Sequence, residues 1–120
     1  MNRISLILLK IATAVFLAGI PSVHGASSSA PSFETDIRPI LKANCFQCHG
    51  EEKKLQGGLD LRLKKLIEKG AKSGAVLSLG DHKSSRLFEV VASGEMPPKD
   101  ELHLKPEEIE LIAKWIDAGA

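Results

Sequence analysis

The chain has 120 residues with 16 basic and 15 acidic side chains, a net charge of +1. A nearly neutral chain offers no electrostatic argument for nucleic acid or an anionic membrane surface as a partner. Its length allows one small domain with a marginal core, and the chain has one Trp, no Tyr and four Phe. A bound apolar group would supply part of such a core. An ordinary Leu and Ile core is the alternative.

The N-terminal residues 1–25 have the pattern of a signal peptide. Arg3 and Lys10 precede an apolar run at residues 11–20, which is the order of a charged region and a hydrophobic region. We expect cleavage after Gly25 and therefore a periplasmic or secreted protein. The remaining 95 residues carry 14 basic and 15 acidic side chains, a net charge of −1.

An uncleaved N-terminal anchor at residues 4–20 is the alternative. Lys10 would then lie inside it, and the stretch is short for a membrane span. We expect no membrane span in the mature chain. Residues 26–32 are rich in Ala and Ser and are predicted to be a flexible linker.

A helix is predicted between Ser32 and the first cysteine. Ser32 can cap a helix that begins near Phe33. Pro39 does not fit deep inside a helix, so the helix either begins near Arg38 or is kinked. Both arrangements place a helical segment directly before Cys45.

The most informative stretch is Cys45-Phe46-Gln47-Cys48-His49. Two cysteines three positions apart, followed by histidine, form the spacing that attaches a c-type haem. Cys45 and Cys48 would form thioethers, and His49 would be the proximal iron ligand. The alternatives are a thiol-redox pair, for which no βαβ pattern is present, and a zinc site, which needs about four ligands.

The most basic part of the chain follows the motif. A tight turn is expected at Gly57-Gly58, and a short helix is expected to stop at Gly70. The lysines of this basic part of the chain most simply form a solvated face. Alternatively, Arg62 or a neighbour pairs with a haem propionate, or the patch docks an acidic redox partner.

Met96 is the second residue that the pattern singles out. A short helix capped by Ser84 or Ser85 is predicted to end near Gly94. The prolines that follow Met96 hold it on a stiff, non-helical loop. With haem bound, Met96 is predicted to be the distal iron ligand, since Met and His form one of the axial pairs of haem iron. A gap-filling apolar side chain is the alternative.

His82 and His103 are rival iron ligands, although exposed loop histidines are the simpler interpretation. The last helix is predicted to open at Pro106 and to end at Gly119. Its apolar stripe is expected to pack on the helix before Cys45.

These motifs together resemble small class I c-type cytochromes, and most closely the Planctomycete cytochrome c domain. The resemblance covers residues 33–120 and rests on the matching stretches, which are residues 33–41, Cys45 to Gly50, Gly57-Gly58-Leu59, Gly80 with Ser84 and Ser85, Met96-Pro97-Pro98, and the closing residues 108–120. It implies an all-α fold with the N- and C-terminal helices packed around one covalently bound haem c. It also implies that Cys45 and Cys48 hold the haem, with His49 as proximal and Met96 as distal ligand.

The resulting hypothesis is an exported monohaem cytochrome that carries single electrons between redox partner proteins and is not an enzyme. The alternatives are a haem-based sensor or a haem enzyme with an open distal site, and a thiol-redox protein that uses Cys45 and Cys48.

Overall fold

The computed structural model describes residues 29–120. The signal peptide predicted at residues 1–25 lies outside the described residues, as does the first part of the predicted linker. Residues 29–32 have no regular secondary structure, and residues 33–120 contain helices and turns but no β-strand. The described residues therefore form an all-α structure with four α-helices, which are α1 (Arg38–Asn44), α2 (Lys64–Lys69), α3 (Arg86–Ala92) and α4 (Pro106–Asp117).

No helix within residues 29–120 is both long enough and apolar enough to cross a membrane.

The first helix begins before Pro39 and changes from a π-helical turn to an α-helix at Arg38. Phe33–Ile37 form a π-helical turn, in which the N–H of Arg38 donates to the carbonyl of Phe33. α1 then begins at Arg38, so Pro39 lies in its first turn. Proline is tolerated at that position because an N–H there would have no partner within the helix. The helix thus begins near Phe33 and becomes an α-helix at Arg38.

Ser32 occupies the N-cap position, but its hydroxyl makes no capping hydrogen bond. Instead, the backbone N–H of Ser32 donates to Asp36 Oδ2 at 2.7 Å. The carboxylate of Asp36 therefore stabilises the start of this helix by accepting one of its free N–H groups.

The first and last helical segments pack on each other, as the apolar stripe of α4 predicts. The turn at Phe33–Ile37 contacts α4, and the rings of Phe33 and Trp115 lie 5.6 Å apart between centroids. The buried apolar residues belong to one cluster, which consists of Phe33, Ile37, Ile40, Leu41, Phe46, Leu61, Ile67, Val76, Leu87, Val91, Leu104, Ile112, Trp115 and Ile116.

Glycines end the helices close to the predicted positions. Gly70 follows α2 with φ of 83°, a conformation that glycine adopts without strain. A Cβ at this residue would lie 2.6 Å from the carbonyl oxygen of Gly74. Gly94 follows α3, and α4 ends at Asp117, two residues before Gly119.

Ser85 precedes α3, but its side chain points into the protein. The residue is 1% exposed, and its hydroxyl accepts a hydrogen bond from the N–H of Ser78 at 2.8 Å. The same hydroxyl lies 2.9 Å from the carbonyl oxygen of Asp81. Ser85 therefore joins α3 to the preceding loop instead of capping the helix.

Candidate functional site

A largely apolar cleft of about 190 Å³ lies between the segment that contains Cys45 and His49 and the face of α3. Its apolar walls include residues from the loops that follow the motif and from α3, namely Leu59, Leu61, Val76, Leu87, Val90 and Val91. Cys45, His49 and Met96 also line it. Its lining, apolar with a few polar groups, is typical of a cofactor site, while its volume is below the roughly 300–1,000 Å³ usual for such sites.

The backbone of His49 is held on both sides. Its N–H donates to the carbonyl of Cys45 at 2.9 Å, and its own carbonyl accepts from the N–H of Leu61 at 2.8 Å. The helical turn Gln47–Glu51 is interrupted at His49, where φ is −114° and ψ is 39°. These bonds fix the position from which the half-buried imidazole reaches the cleft.

The imidazole of His49 has a buried nitrogen without a partner. Its Nδ1 atom makes no hydrogen bond, although buried polar atoms are nearly always paired. Leaving such an atom unpaired costs about 1–3 kcal/mol. Only a group that bonds to Nδ1 itself would offset that cost.

The two cysteines are free thiols, and both are half-buried. Cys45 lines the cleft, whereas Cys48 is not among the lining residues. Burial raises the pKa of the Cys45 thiol to about 11, and the nearby Cys48 adds to the increase. Cys45 is therefore protonated at neutral pH.

Met96 reaches the same cleft from the loop after α3. Its backbone N–H donates to the carbonyl of Val90 at 2.9 Å, and the Met96–Pro97 peptide bond is cis. Met96 is 37% exposed. Met96 follows His49 by 47 positions, and the fold brings both residues to one site.

Arg62 lies outside the cleft. Its guanidinium pairs with the carboxylate of Asp60 at 2.7 Å, and this pairing lowers the pKa of Asp60 and raises that of Arg62. The aliphatic part of Arg62 packs across Gly50, where a Cβ would lie 2.8 Å from Arg62 Cγ. Arg62 is not among the residues that line the cleft, and its contact with a haem propionate stays a prediction.

Arg86 is the cationic residue that lines the cleft, and sequence analysis missed it. Its guanidinium pairs with Glu89 at 3.0 Å and with Glu95 at 2.7 Å. Arg86 comes one helical turn before Val90, which also lines the cleft. The i, i+4 spacing was the signal that places both residues on one side of α3.

The rival histidines do not line the cleft. His82 Nδ1 lies 2.8 Å from each carboxylate oxygen of Asp117, and its ring packs edge-on against Phe88. His103 is exposed near Gly94. Within residues 29–120, no group of three or more His, Cys, Asp or Glu side chains is arranged to hold a metal ion. The zinc alternative therefore has no set of ligands in the described structure.

Comparison with protein families supplies the deciding observation. Residues 45–100 match the family model described as Planctomycete cytochrome C. Residues 45–100 are a Planctomycete cytochrome C domain. The predicted resemblance is confirmed over these residues. The match includes Cys45 and Cys48, whose CxxC spacing fits covalent haem attachment.

The Planctomycete cytochrome C match covers every residue that lines the cleft, including Met96. α1 and α4 lie outside the matched range and complete the core around it. No curated protein and no solved structure matched the chain in the corresponding comparisons. A cytochrome c family domain is consistent with a haem-based electron carrier.

Proposed function

We propose that this chain is an exported monohaem c-type cytochrome that carries single electrons between redox partner proteins. One observation carries the proposal. Cys45, His49 and Met96 line the same apolar cleft within the matched domain. Cys45 carries a thiol of the attachment motif, and His49 and Met96 carry an imidazole and a thioether, which are the two iron donors of a His/Met-ligated haem c.

In this proposal, Cys45 and Cys48 hold one haem c through thioether bonds. His49 is the proximal ligand, and its backbone hydrogen bonds to Cys45 and Leu61 limit the movement of the ring. Met96 is the distal ligand on a loop attached to Val90. The bound haem supplies a reversible one-electron change at its iron.

The protein residues control access and polarity at this site. Four buried side chains line the inner wall of the cleft and limit contact with water, namely Leu61, Val76, Leu87 and Val91. An apolar shell and a thioether ligand both favour the reduced state of haem iron and so raise the reduction potential. If His49 and Met96 are both iron ligands, the haem would supply electron transfer and would leave no coordination position for a substrate.

Export is proposed from the N-terminal sequence. Residues 1–25 have the order of a signal peptide, and the site of action would be the periplasm or the exterior of the cell. The partners would be redox proteins. The near-zero net charge of the chain gives no support for nucleic acid as a partner.

The thiol-redox alternative receives no support from the site. Reactive thiols in such proteins have a lowered pKa, whereas burial raises the pKa of Cys45 to about 11. The sensor and haem-enzyme alternatives require a distal position that external ligands can reach. Because Met96 is 37% exposed, the experiment must also test these two alternatives.

The test is a reduced-minus-oxidised visible spectrum and a pyridine haemochrome assay on protein exported together with c-haem maturation machinery. We expect a covalent c-type haem that is six-coordinate in both oxidation states and does not bind CO. A chain without haem would overturn the proposal and return Cys45 and Cys48 to thiol chemistry. A haem that binds CO readily would favour the sensor or the enzyme.

A further inference from the structure

Glu95 and Met96 are attached to one side of α3 at two points. The backbone N–H of Met96 donates to the carbonyl of Val90 at 2.9 Å, and the carboxylate of Glu95 pairs with Arg86 Nη2 at 2.7 Å. We propose that the Arg86–Glu95 ion pair is a positioning contact that keeps Met96 at the cleft and opposes displacement of its thioether by external ligands. The inference rests on the proposed role of Met96 as distal ligand.

The position of Arg86 suits this role. Arg86 and Val90 are one helical turn apart, and both line the cleft. The chain leaves α3 after Ala92 and folds back, so that Glu95 meets a side chain nine positions earlier. The ion pair therefore joins the two ends of the segment 86–95, and Met96 is the residue that follows this segment.

Arg86 has a second acidic partner that supplies a matched control. Glu89 pairs with Arg86 Nη1 at 3.0 Å, but it lies within α3 and is not joined to the Met96 loop. Replacing Glu89 or Glu95 by glutamine removes the same charge and one partner of the same guanidinium. Only the substitution at Glu95 removes a contact between α3 and the loop that carries Met96.

The effect should be modest because the pair is half exposed. The side chains of Arg86 and Glu95 are 50% and 52% exposed, and such pairs are weakened by water and salt. The hydrogen bond between Met96 and Val90 remains when the pair is lost. We expect a change of about two- to fivefold in the equilibrium between Met96 and an external ligand on the iron.

The experiment is a titration of the oxidised holoprotein with imidazole, followed through the Met–Fe charge-transfer band. Glu95→Gln should lower the midpoint imidazole concentration by about two- to fivefold, while Glu89→Gln should leave it near the wild-type value. Arg86→Lys keeps the charge and should be intermediate. Combining Arg86→Ala with Glu95→Gln should lower the midpoint no further than Arg86→Ala alone, because Arg86→Ala already removes the contact with Glu95. High salt should reduce the difference between Glu95→Gln and wild type.

Two results would overturn the inference while leaving the proposed function intact. One is a wild-type midpoint in Glu95→Gln, and the other is an equal decrease in Glu95→Gln and Glu89→Gln, which would indicate net charge alone. The Met96→Ala variant tests separately whether the proposed ligation of iron by Met96 has failed. If the wild-type holoprotein has the same spectrum and the same imidazole midpoint as Met96→Ala, then Met96 does not ligate iron. The inference would fail together with that assignment.

Discussion

The aromatic rings of Phe33 and Trp115 lie 5.6 Å apart between centroids, at an angle of 35°. This contact joins the first helical turn to α4 across 82 positions of sequence. Both residues are buried, Trp115 at 2% exposure. Because neither residue lies within the matched range 45–100, the contact belongs to the helices that flank the cytochrome domain and enclose it.

Replacing Trp115 with alanine should lower the free energy of unfolding by about 3–5 kcal/mol, because it removes a large buried side chain and leaves a cavity. Urea unfolding of the holoprotein measures the change. Lys114→Ala on the same helix is the control, since Lys114 is exposed and its solvent-screened pair with Glu110 should contribute little to stability. Equal effects at the two positions would contradict the packing.

Gly50→Ala should destabilise the protein by about 1–3 kcal/mol, which is the usual range for overpacking. The new Cβ would lie 2.8 Å from Cγ and 3.1 Å from Cδ of Arg62. The double variant Gly50→Ala with Arg62→Ala removes the clash and should regain most of the lost stability. Strictly additive losses in urea unfolding would show that Arg62 is not the obstacle.

Met96→Ala should abolish the Met–Fe charge-transfer band and allow CO to bind the reduced haem, because a methyl group cannot ligate iron. Visible spectra with and without CO provide the measurement. Leu102→Ala is the matched control from the same loop, since Leu102 is 87% exposed and does not line the cleft. An unchanged band in Met96→Ala would exclude this residue as the ligand.

The Cys45 thiol should react slowly in the folded, haem-free chain. Its pKa is raised from 9.0 to about 11, so alkylation should accelerate as the pH approaches 11. The unfolded chain releases this proton at lower pH, so the contribution of Cys45 to stability is complete below about pH 9 and is lost between about 9 and 11.

The Cys48→Ala variant isolates this thiol, because desolvation is the larger cause of the shift and remains when Cys48 is removed. Iodoacetamide kinetics from pH 7 upward, compared between native and urea-unfolded protein, provide the measurement. The same pH dependence in both states would contradict the burial of Cys45.

Local sequence determined the attachment motif and the positions where helices begin and end. The cysteine and histidine spacing is a property of five consecutive residues, and the ends of α2 and α3 depend on nearby glycines. The amphipathic pattern of α4 also predicted that its apolar stripe is buried. These conclusions need only the chemistry of neighbouring residues.

Tertiary structure decided which distant side chains share a site. It brought Met96 to the cleft of Cys45 and His49, placed Arg86 there while Arg62 paired with Asp60, and engaged His82 with Asp117. Ser85, in turn, holds a loop rather than capping α3. Periodicity predicts which face of a helix is buried, but the partners of that face depend on how the chain packs around the whole core.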